Sequence, residues 1–433
     1  MRLPGRLAAA IEVLTDLETR HRPAAEALKD WGIAHRFAGS GDRAAIGNLV
    51  YDALRKRLSS AHFAGADTPR AAILAIVIRE WGETPDTLAA AFGGDRFAPA
   101  VLSDEEAAAF TRPNPFAGAP GHVAADLPEW VAPFVEENFG EEWISEGRAL
   151  AERPPLDLRA NTLKSSRDKL LAALKRFSPR PAAIARHGIR IEPGRRDARI
   201  PNVESEEGFR KGWFEVQDEG SQIVTALTGA VPGEQLLDLC AGAGGKTLAM
   251  AAAMENRGQI YAYDADRHRL APIHERIARA GVRNVQVRAP GEGVLDDLAG
   301  KMDRVIIDAP CTGSGVWRRR PDAKWRLKPD QLTRRLAEQR EVLAEATRFV
   351  RPGGMIAYIT CSILPPENEA QVASFLAAHP DFTLASAFEG WSKLLGPDAP
   401  QPHSIDMKSV TLTPASTHTD GFFCSLLTRS VAP

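Results

Sequence analysis

One stretch, Leu236–Thr247, constrains the fold of this chain more than any other. Its first four residues, Leu-Leu-Asp-Leu, predict a short buried strand, and three glycines follow within the next six positions. The alanine-rich segment Lys246–Met254 then predicts a helix. A strand, a glycine turn and a helix N-terminus bring bare backbone N–H groups to a ligand in α/β proteins. Asp238 lies at the end of the strand, where its carboxylate can orient a polar group of that ligand.

A second acidic residue indicates the class of ligand. The run Gln259–Tyr263 predicts the next strand, and Asp264 follows it directly. An acidic residue at the tip of the second strand is the expected partner of ribose hydroxyls. The two strands together therefore predict a nucleoside site without saying which nucleoside it binds.

Residues 217–433 alternate predicted strands and helices. This alternation is typical of an α/β fold with a doubly wound, mainly parallel sheet and helices on both faces. The predicted strands are Leu236–Leu239, Gln259–Tyr263, Val285–Val287, Arg304–Ile307, Met355–Ile359, Phe382–Leu384 and Phe422–Leu427.

The preceding half of the chain has other patterns. Residues 1–95 show helical periodicity and predict an all-α N-terminal domain, in which Ser40 or Asp42 caps a helix. Residues 96–127 are rich in Gly, Pro and Ala and predict a linker. Residues 128–216 predict a small α+β subdomain that binds RNA.

The basis for that RNA-binding prediction is the basic stretch Arg159–Lys211. It is either a solvated face or a surface for phosphates. Arg159 and Asn161 either touch RNA, which we favour, or tie the small subdomain to the large one.

Composition limits the cellular setting. Lys and Arg number 54 against 56 Asp and Glu, for a net charge of -2, so any basic surface must be local. Four cysteines without a Cys-x-x-Cys pair predict free thiols in a reducing compartment. The longest apolar run, Ala71–Ile78, is too short to span a bilayer, and Glu12 and Asp16 argue against a signal peptide. We expect a cytoplasmic protein with no membrane partner, and no metal because the histidines lack metal-ligand spacing.

Two cysteines and an aspartate stand at the carboxyl ends of successive predicted strands. Asp308 and Cys311 follow the fourth strand, and Cys361 follows the fifth. In an open α/β sheet the ligand lies outside those ends. A buried cysteine is usually a small core residue, but two at strand tips beside a ligand favour reactive thiols.

Methyl transfer to a pyrimidine carbon combines a nucleoside cofactor, thiols and an acid. Carbon 5 of cytosine is a poor nucleophile until a thiolate adds to carbon 6, after which the enamine can attack a sulfonium methyl group. A carboxylic acid on the pyrimidine edge stabilises the developing charge. The base must be unstacked to reach such a pocket.

The motifs around these residues resemble those of the RNA cytosine-5 methyltransferase family. The resemblance covers residues 126–433, and it implies a Rossmann-like class I methyltransferase fold, an S-adenosylmethionine cofactor and an RNA partner. It rests on Asp238–Thr247, Asp308–Gly315 with Arg318–Asp322, Thr360–Ser362 with Pro366–Asn368, Arg159–Lys164, Gln217–Ser221 and Asp420–Phe423.

The resemblance also implies roles for individual residues. Cys361 is the expected nucleophile, Cys311 assists release of the methylated base, and Asp308 holds the cytosine edge. The residues alone do not rank Cys361 above Cys311. The residues expected to line S-adenosylmethionine are Cys240, Ala241, Gly242, Ala243, Gly244, Gly245, Lys246, Asp264, Arg269 and Asp308.

Two positions depart from the family pattern. The family usually has Ala-Pro-Gly-Gly-Lys where this chain has Gly242–Lys246. Val287–Pro290 lacks the acidic residue that often contacts the adenine, so the partner of the adenine amine stays open.

The helical N-terminus resembles the antitermination-factor-type (NusB-like) RNA-binding domain of bacterial rRNA enzymes. The match is clearest at Asp42–Arg43 and Leu49–Arg57. It favours rRNA as the substrate, with tRNA or another RNA as the alternative, and we expect a monomer.

Two other functions fit parts of the sequence. Gly245–Thr247 after a strand mimics a P-loop NTPase, although the first P-loop glycine would fall at Cys240. A non-catalytic RNA-binding assembly factor is the other possibility, and the intact pair Cys311 and Cys361 weighs against it.

Other residues near the motifs carry weaker signals. Trp317–Arg326 contains five basic residues and two tryptophans, and we favour RNA contact there over a solvated loop with two anchoring tryptophans. Asp218 is expected to cap a helix, Glu367 to begin one, and Cys424 to lie in the core.

Overall fold

The computed structural model describes residues 1–396 and 398–431 of the chain. These residues form two compact units, each assembled from separate stretches of sequence. Unit 1 comprises Met1–Pro154, Pro193–Ile200 and Trp317–Leu327, and unit 2 comprises Pro155–Glu192, Pro201–Val316 and the chain from Lys328 onward.

Unit 1 is built from helices around one apolar core. Leu7, Ile46 and Leu74 come from three different helices and are fully buried in that core, and Trp325 packs against it. The helices are α1 (Leu3–Arg20), α2 (Ala24–Ala34), α3 (Ser40–Arg55), α4 (Arg57–Ala64), α5 (Pro69–Trp81), α6 (Pro85–Phe92), α7 (Asp104–Thr111), α8 (Gly121–Ala124), α9 (Ala132–Phe139), α10 (Trp143–Leu150) and, from the third stretch, α17 (Pro321–Arg326).

The start of α3 differs from the sequence prediction. The helix begins at Ser40 after Gly39, which offers no side-chain cap, so the predicted cap by Ser40 or Asp42 is wrong. Asp42 instead accepts hydrogen bonds from the Met1 ammonium at 2.9 Å and from Arg6 at 3.0 Å. The carboxylate therefore pairs with these two cations and does not cap the helix.

The predicted linker, residues 96–127, contains α7 and α8. Ser103 and Glu106 form a capping box at the start of α7, which is a regular helix signal within a stretch rich in Gly and Pro. The predicted domain boundaries stay predictions.

Unit 2 contains a small antiparallel sheet. Its strand order is β2-β3-β1-β4, and every neighbouring pair is antiparallel. Arg190 and Asp157 form a buried ion pair at 2.7 Å across β1 and β3. The elements are β1 (Leu156–Ala160), α11 (Arg167–Ala173), β2 (Arg180–Pro181), β3 (Gly188–Ile191), α12 (Glu207–Arg210) and β4 (Phe214–Val216).

The large sheet of unit 2 has eight strands within the described residues, in the order β10-β12-β9-β8-β5-β6-β7, with β11 beside β12. The strands from β9 to β7 are parallel, and β12 is antiparallel to both β9 and β10. The strands are β5 (Gln235–Asp238), β6 (Gln259–Tyr263), β7 (Val285–Arg288), β8 (Met302–Asp308), β9 (Val350–Thr360), β10 (Phe382–Ala385), β11 (Val410–Leu412) and β12 (Phe422–Arg429).

Helices cover this sheet on both faces. Leu236 and Leu237 are consecutive in β5 but belong to two different apolar clusters, as expected for a strand buried on both sides. The helices are α13 (Glu219–Leu227), α14 (Gly245–Ala253), α15 (Arg267–Leu270), α16 (Ile273–Ala280), α18 (Pro329–Ala346), α19 (Glu369–Ala378) and α20 (Ala387–Leu395).

Short 3-10 turns lie at Gly140–Glu142, Lys175–Phe177, Val203–Ser205, Asp296–Leu298, Ser314–Val316 and Pro365–Glu367.

The predicted Rossmann-like α/β fold is confirmed. Every predicted strand of the large sheet is present, with ends that differ by a few residues. The three-residue edge strand β11 was missed. Across residues 1–396 and 398–431, no helix combines the length and apolar character needed to cross a membrane.

Candidate active site

The strand order brings the predicted site residues together at one edge of the large sheet. β9, β8 and β5 are neighbours and parallel, so their carboxyl ends meet. Asp308 ends β8, Cys361 follows β9, and the glycine loop follows β5. All of these residues belong to unit 2.

The two predicted thiols are in contact. The sulfur of Cys311 lies 3.3 Å from the sulfur of Cys361, and both residues are partly exposed. The hydrogen bond with Cys361, and then burial, raises the pKa of the Cys311 thiol well above its ordinary value. A pair of sulfurs at this distance can act on the same ring of a substrate.

The other cysteines have different settings. Cys424 is buried within β12, where burial raises its pKa to about 12, as expected for a core residue. Cys240 is in the glycine loop, and burial raises the pKa of its thiol well above the ordinary value. Neither thiol is placed to react at neutral pH.

Lys246 and Asp308 form an ion pair beside the thiols. The Lys246 ammonium donates to Asp308 Oδ2 at 2.6 Å, and the lysine side chain is 8% exposed against 35% for the aspartate. Burial alone would lower the pKa of Lys246, but Asp308, with a smaller contribution from Cys361, outweighs burial and raises it. The site therefore holds a fixed positive charge next to one sulfur.

The glycine loop has the conformation that a close backbone approach requires. Gly242 and Gly244 have φ angles of +50° and +84°. A Cβ at Gly244 would lie 2.5 Å from the Ile273 side chain, so only glycine fits there. The carbonyl of Ala243, one of the two residues that depart from the family pattern, accepts a hydrogen bond from Arg276 at 2.8 Å.

Two carboxylates flank this loop. Asp264 Oδ2 accepts the Gly242 N–H at 2.9 Å, and Arg269 lies 3.8 Å from the same oxygen. Asp238 is buried and accepts from the Thr247 hydroxyl at 2.6 Å. Its other oxygen has no hydrogen-bond partner in the described part of the chain. Burial raises the pKa of Asp238 to about 7.

These residues fit S-adenosylmethionine. The unpartnered Asp238 oxygen is a strong acceptor for a ligand ammonium group, because a buried carboxylate oxygen is costly without a donor. Asp264, at the tip of β6, lies where ribose hydroxyls are bound in this class of fold. The acidic residue expected after β7 is absent, and Arg288 there pairs with Asp297 at 2.8 Å.

Sequence reasoning missed the role of Glu367. It is fully buried and accepts hydrogen bonds from Thr312 and Ser362, the residues that follow the two cysteines. The motif Pro366–Asn368 was the available signal, but its interpretation as a helix start was wrong for Glu367, because α19 begins at Glu369.

The preference for RNA contact at Arg159 and Asn161 is wrong. Both side chains are buried. Asn161 donates to the carbonyls of Gly212 and Ala280, each at 2.8 Å, and so ties the small sheet to the end of α16. Arg159 donates to Gln217 at 2.6 Å.

The favoured RNA contact within Trp317–Arg326 is also wrong for three of its residues. Trp317, Arg318 and Lys324 are buried. Lys324 belongs to unit 1, where its ammonium donates to the carbonyl of Asp126 at 2.6 Å. This segment anchors a fold instead of presenting those side chains to solvent.

The predicted helix cap at Asp218 is present. Asp218 caps α13 by accepting the N–H groups of Gly220 and Ser221. In residues 1–396 and 398–431 there is no cluster of three or more His, Cys, Asp or Glu side chains that could hold a metal ion.

Comparison with known proteins identifies the family. Residues 225–428 match the family described as 16S rRNA methyltransferase RsmB/F, and residues 127–196 match the ferredoxin-like domain of RsmF/B-like methyltransferases. A probable ribosomal RNA small subunit methyltransferase B from Synechocystis sp. is 33% identical over 70% of this chain and 67% of its own length. The corresponding enzyme of Erwinia tasmaniensis is 35% identical, with 59% of each chain covered, so the chain spans about three fifths of that relative.

Solved structures agree. The crystal structure of PH0851 has a TM-score of 0.73 and 26% identity, with 99% of each chain covered. NSun6 from Pyrococcus horikoshii with SFG has a TM-score of 0.61 and 23% identity, covering 71% of this chain and 99% of its own, which supports the fold. On these matches, the chain belongs to the RsmB/F family of 16S rRNA methyltransferases.

Proposed function

We propose that this protein transfers the methyl group of S-adenosylmethionine to carbon 5 of a cytosine in small-subunit rRNA, through a covalent cysteine adduct. The observation that carries the proposal is the contact of two sulfurs, 3.3 Å apart, at neighbouring strand ends beside a glycine loop. The names of the related enzymes support rRNA as the substrate.

The cofactor would be held by the loop Cys240–Lys246 and the carboxylates around it. Asp238 would accept a hydrogen bond from the amino group of the cofactor, and Asp264 would accept hydrogen bonds from its ribose hydroxyls. Arg269 would lie at the rim. When bound, the cofactor supplies a sulfonium methyl group. NSun6, a fold neighbour, was crystallised with SFG, an S-adenosylmethionine analogue, which supports this choice.

The charges around the two sulfurs favour Cys361 as the nucleophile. The ammonium of Lys246 lies on the side of Cys361, whose thiolate contributes to the raised pKa of the lysine. The carboxylate of Glu367 lies near Cys311 and adds to the rise of the Cys311 pKa. An anion disfavours the thiolate of Cys311, which leaves Cys361 as the proposed nucleophile.

The covalent step follows from this assignment. The Cys361 thiolate forms a bond to carbon 6, the electron pair of the C5–C6 double bond moves onto carbon 5 and into the ring, and Asp308 holds the pyrimidine edge. Carbon 5 thereby becomes nucleophilic and would take the methyl group of the bound cofactor, whose sulfur would keep the electron pair of the broken S–CH3 bond.

Release regenerates the nucleophile. A base removes the proton from carbon 5, the electron pair of that C–H bond restores the C5–C6 double bond, and the C6–S bond breaks to give the Cys361 thiolate. We assign the base to Cys311, which loses its thiol proton to solvent before this step and takes up the carbon-5 proton, because its sulfur lies 3.3 Å from the leaving sulfur. A thiol with a high pKa is a strong base once deprotonated.

Two variants test these roles. Cys361→Ala should abolish both tritium transfer from labelled cofactor and the covalent RNA adduct, whereas Cys311→Ala should let the adduct accumulate on denaturing gels. Cys424→Ala, in the core of β12, is the matched control and should retain both. Full activity of Cys361→Ala would show that the nucleophile is misassigned.

The substrate class has its own test. Bisulfite sequencing of RNA from a deletion strain should show loss of 5-methylcytosine in 16S rRNA. Loss in tRNA instead would favour the alternative substrate. The cytoplasmic location, the monomeric state and the NusB-like RNA-binding N-terminal domain stay predictions.

The P-loop interpretation finds no support at Lys246. A P-loop lysine faces phosphates, but this ammonium is bonded to Asp308 and lies near a second carboxylate, Asp238. Carboxylates at both positions would repel a triphosphate.

A further inference from the structure

Glu367 joins the two cysteine loops through one buried carboxylate. Its Oε1 accepts the backbone N–H of Thr312 at 2.8 Å and the Gln339 amide at 3.1 Å. Its Oε2 accepts the hydroxyls of Thr312 and Ser362, each at 2.5 Å. Thr312 directly follows Cys311, and Ser362 directly follows Cys361.

The loops need such a connection because the strand pairing ends before them. The register between β8 and β9 runs only as far as Asp308 opposite Ile359. Beyond that point, backbone hydrogen bonds run from Ala309 N–H to the Ile359 carbonyl at 2.8 Å and from Gly315 N–H to the Cys361 carbonyl at 3.0 Å, and side chains make the other connections. Glu367 is the side chain that contacts the residue after each cysteine.

Neighbouring groups extend this network. Gln339, on α18, donates to the carbonyl of Pro310 at 2.9 Å as well as to Glu367. The hydroxyls of Ser314 and Ser362 lie 2.9 Å apart. Burial raises the pKa of Glu367, while the four hydrogen bonds that its carboxylate accepts oppose that rise.

We propose that Glu367 is a positioning residue for the methyl-transfer reaction: its carboxylate holds the Cys311 and Cys361 loops at their contact distance and places a negative charge on the Cys311 side of the pair. This inference rests on the proposed function of the two cysteines. The carboxylate accepts two hydrogen bonds from Thr312 and one from Ser362, so it is bonded more extensively to the Cys311 loop.

Two substitutions separate the two parts of this role. In Glu367→Gln, the amide oxygen can keep the N–H donors of Thr312 and Gln339, and the two hydroxyls can rotate to accept from the new NH₂ group. This variant removes the charge and preserves most of the contacts. Glu367→Ala removes both.

The first readout is the reactivity of each thiol in the RNA-free enzyme. Alkylation by iodoacetamide across pH 6.5–9.5, with peptide mass spectrometry, follows Cys311 and Cys361 on separate tryptic peptides. Glu367→Gln should raise the alkylation rate of Cys311 at pH 7, because the carboxylate contributes to the raised pKa of that thiol and a lower pKa gives more thiolate. The exposed Glu389→Gln, which also removes one negative charge, should leave the profile unchanged.

The second readout is turnover. Glu367→Ala should lower kcat about 100-fold with KM for RNA within threefold, and diamide should form the Cys311–Cys361 disulfide more slowly, because the sulfurs are no longer held together. If Glu367→Ala does not fold, kcat and the rate of disulfide formation are measured on Glu367→Gln instead. An unchanged Cys311 profile in Glu367→Gln would overturn the electrostatic role, and unchanged kcat and disulfide formation in Glu367→Ala would overturn the positioning role.

The alkylation assay needs neither RNA nor turnover, so it separates the two proposals. If Cys361→Ala retained methyl transfer, the proposed function would fail while the effect of Glu367 on the thiols could still be measured. If Cys361→Ala were inactive and Glu367→Gln and Glu367→Ala matched the wild type, only the inference about Glu367 would fail.

Discussion

Two buried lysines, one in each unit, show how the same side chain serves different purposes. Lys246 in unit 2 donates to the carboxylate of Asp308 at 2.6 Å. Lys324 in unit 1 donates to two backbone carbonyls, those of Arg55 at 3.0 Å and Asp126 at 2.6 Å. Asp308 outweighs burial and raises the pKa of Lys246, whereas burial lowers the pKa of Lys324 to about 8.

The difference lies in the partners and in what surrounds them. Lys246 has a charged partner that is itself 35% exposed, next to two partly exposed cysteines. Lys324 donates to the carbonyls of Arg55 and Asp126, and the attraction of the Asp126 carboxylate does not outweigh burial. A charge whose partner is partly exposed can serve chemistry, whereas a charge bonded to buried carbonyls serves the fold.

Replacing Lys246 gives the largest expected effect. Lys246→Met should reduce single-turnover methyl transfer about 1000-fold, because removing the cation beside a nucleophile and its acid typically costs two to three orders of magnitude. Tritium transfer to RNA in excess enzyme measures it. Lys324→Met is the control of the same length, and a loss below tenfold in Lys246→Met would remove the contrast.

Replacing Lys324 should instead affect stability. Lys324→Met should lower the free energy of unfolding by about 2–4 kcal/mol, because two buried carbonyls lose their donor. Urea denaturation followed by tryptophan fluorescence measures it. The single-turnover rate of the folded protein should stay within twofold, and a large rate loss at full stability would assign Lys324 to the reaction.

The pH dependence of stability should differ between the two lysines. The folded pKa of Lys324, about 8, lies below the value of about 10.4 in the unfolded chain, so the folded state binds fewer protons between these limits. Unfolding free energy therefore rises with pH there, and wild type should gain about 2 kcal/mol over Lys324→Met from pH 8 to pH 10.

The contribution of Lys246 to the unfolding free energy changes with pH in the opposite direction. Its folded pKa is raised, so its contribution is present below the unfolded pKa and is lost only as pH rises through the folded value. The difference between wild type and Lys246→Met should be flat from pH 7 to pH 10. A rise like that of Lys324 would contradict the ion pair with Asp308.

Asp238 extends the comparison to a buried carboxylate and gives the smallest expected effect. Its pKa of about 7 means that the unpartnered oxygen belongs to a neutral acid below that pH. Affinity for S-adenosylmethionine should therefore fall up to about tenfold per pH unit below 7 and level off above it. Calorimetry from pH 6 to pH 8 measures this affinity. Asp238→Asn should bind S-adenosylmethionine weakly, with an affinity that does not change with pH.

The sequence predicted the large sheet well because its strands follow strong local rules. Leu236–Leu239 follows the rule for a strand that precedes a glycine turn, and β8 and β9 contain the apolar runs Val305–Ile307 and Met355–Ile359. β11 was missed because Val410–Leu412 is too short to show a period. The sheet order then placed Asp308, Cys311 and Cys361 together.

Contacts between distant residues could not be predicted in this way. Lys324 follows Cys311 closely in sequence, which favoured RNA binding, but its partner Asp126 lies 198 positions earlier. Glu367 contacts Thr312 from 55 positions away. The ranking of Cys361 over Cys311 depends on such placements of charge, which no local pattern encodes.

The discontinuity of unit 1 bears on how the chain is made and inherited. Its first 154 residues emerge early from the ribosome, but the carbonyls of Arg55 and Asp126 must wait for Lys324, which is translated after most of the large sheet. Unit 1 is therefore complete only after Trp317–Leu327 has been translated. A transplant of this region between relatives would have to carry Trp317–Leu327 with it, and a swap limited to the N-terminal stretch should yield an insoluble hybrid.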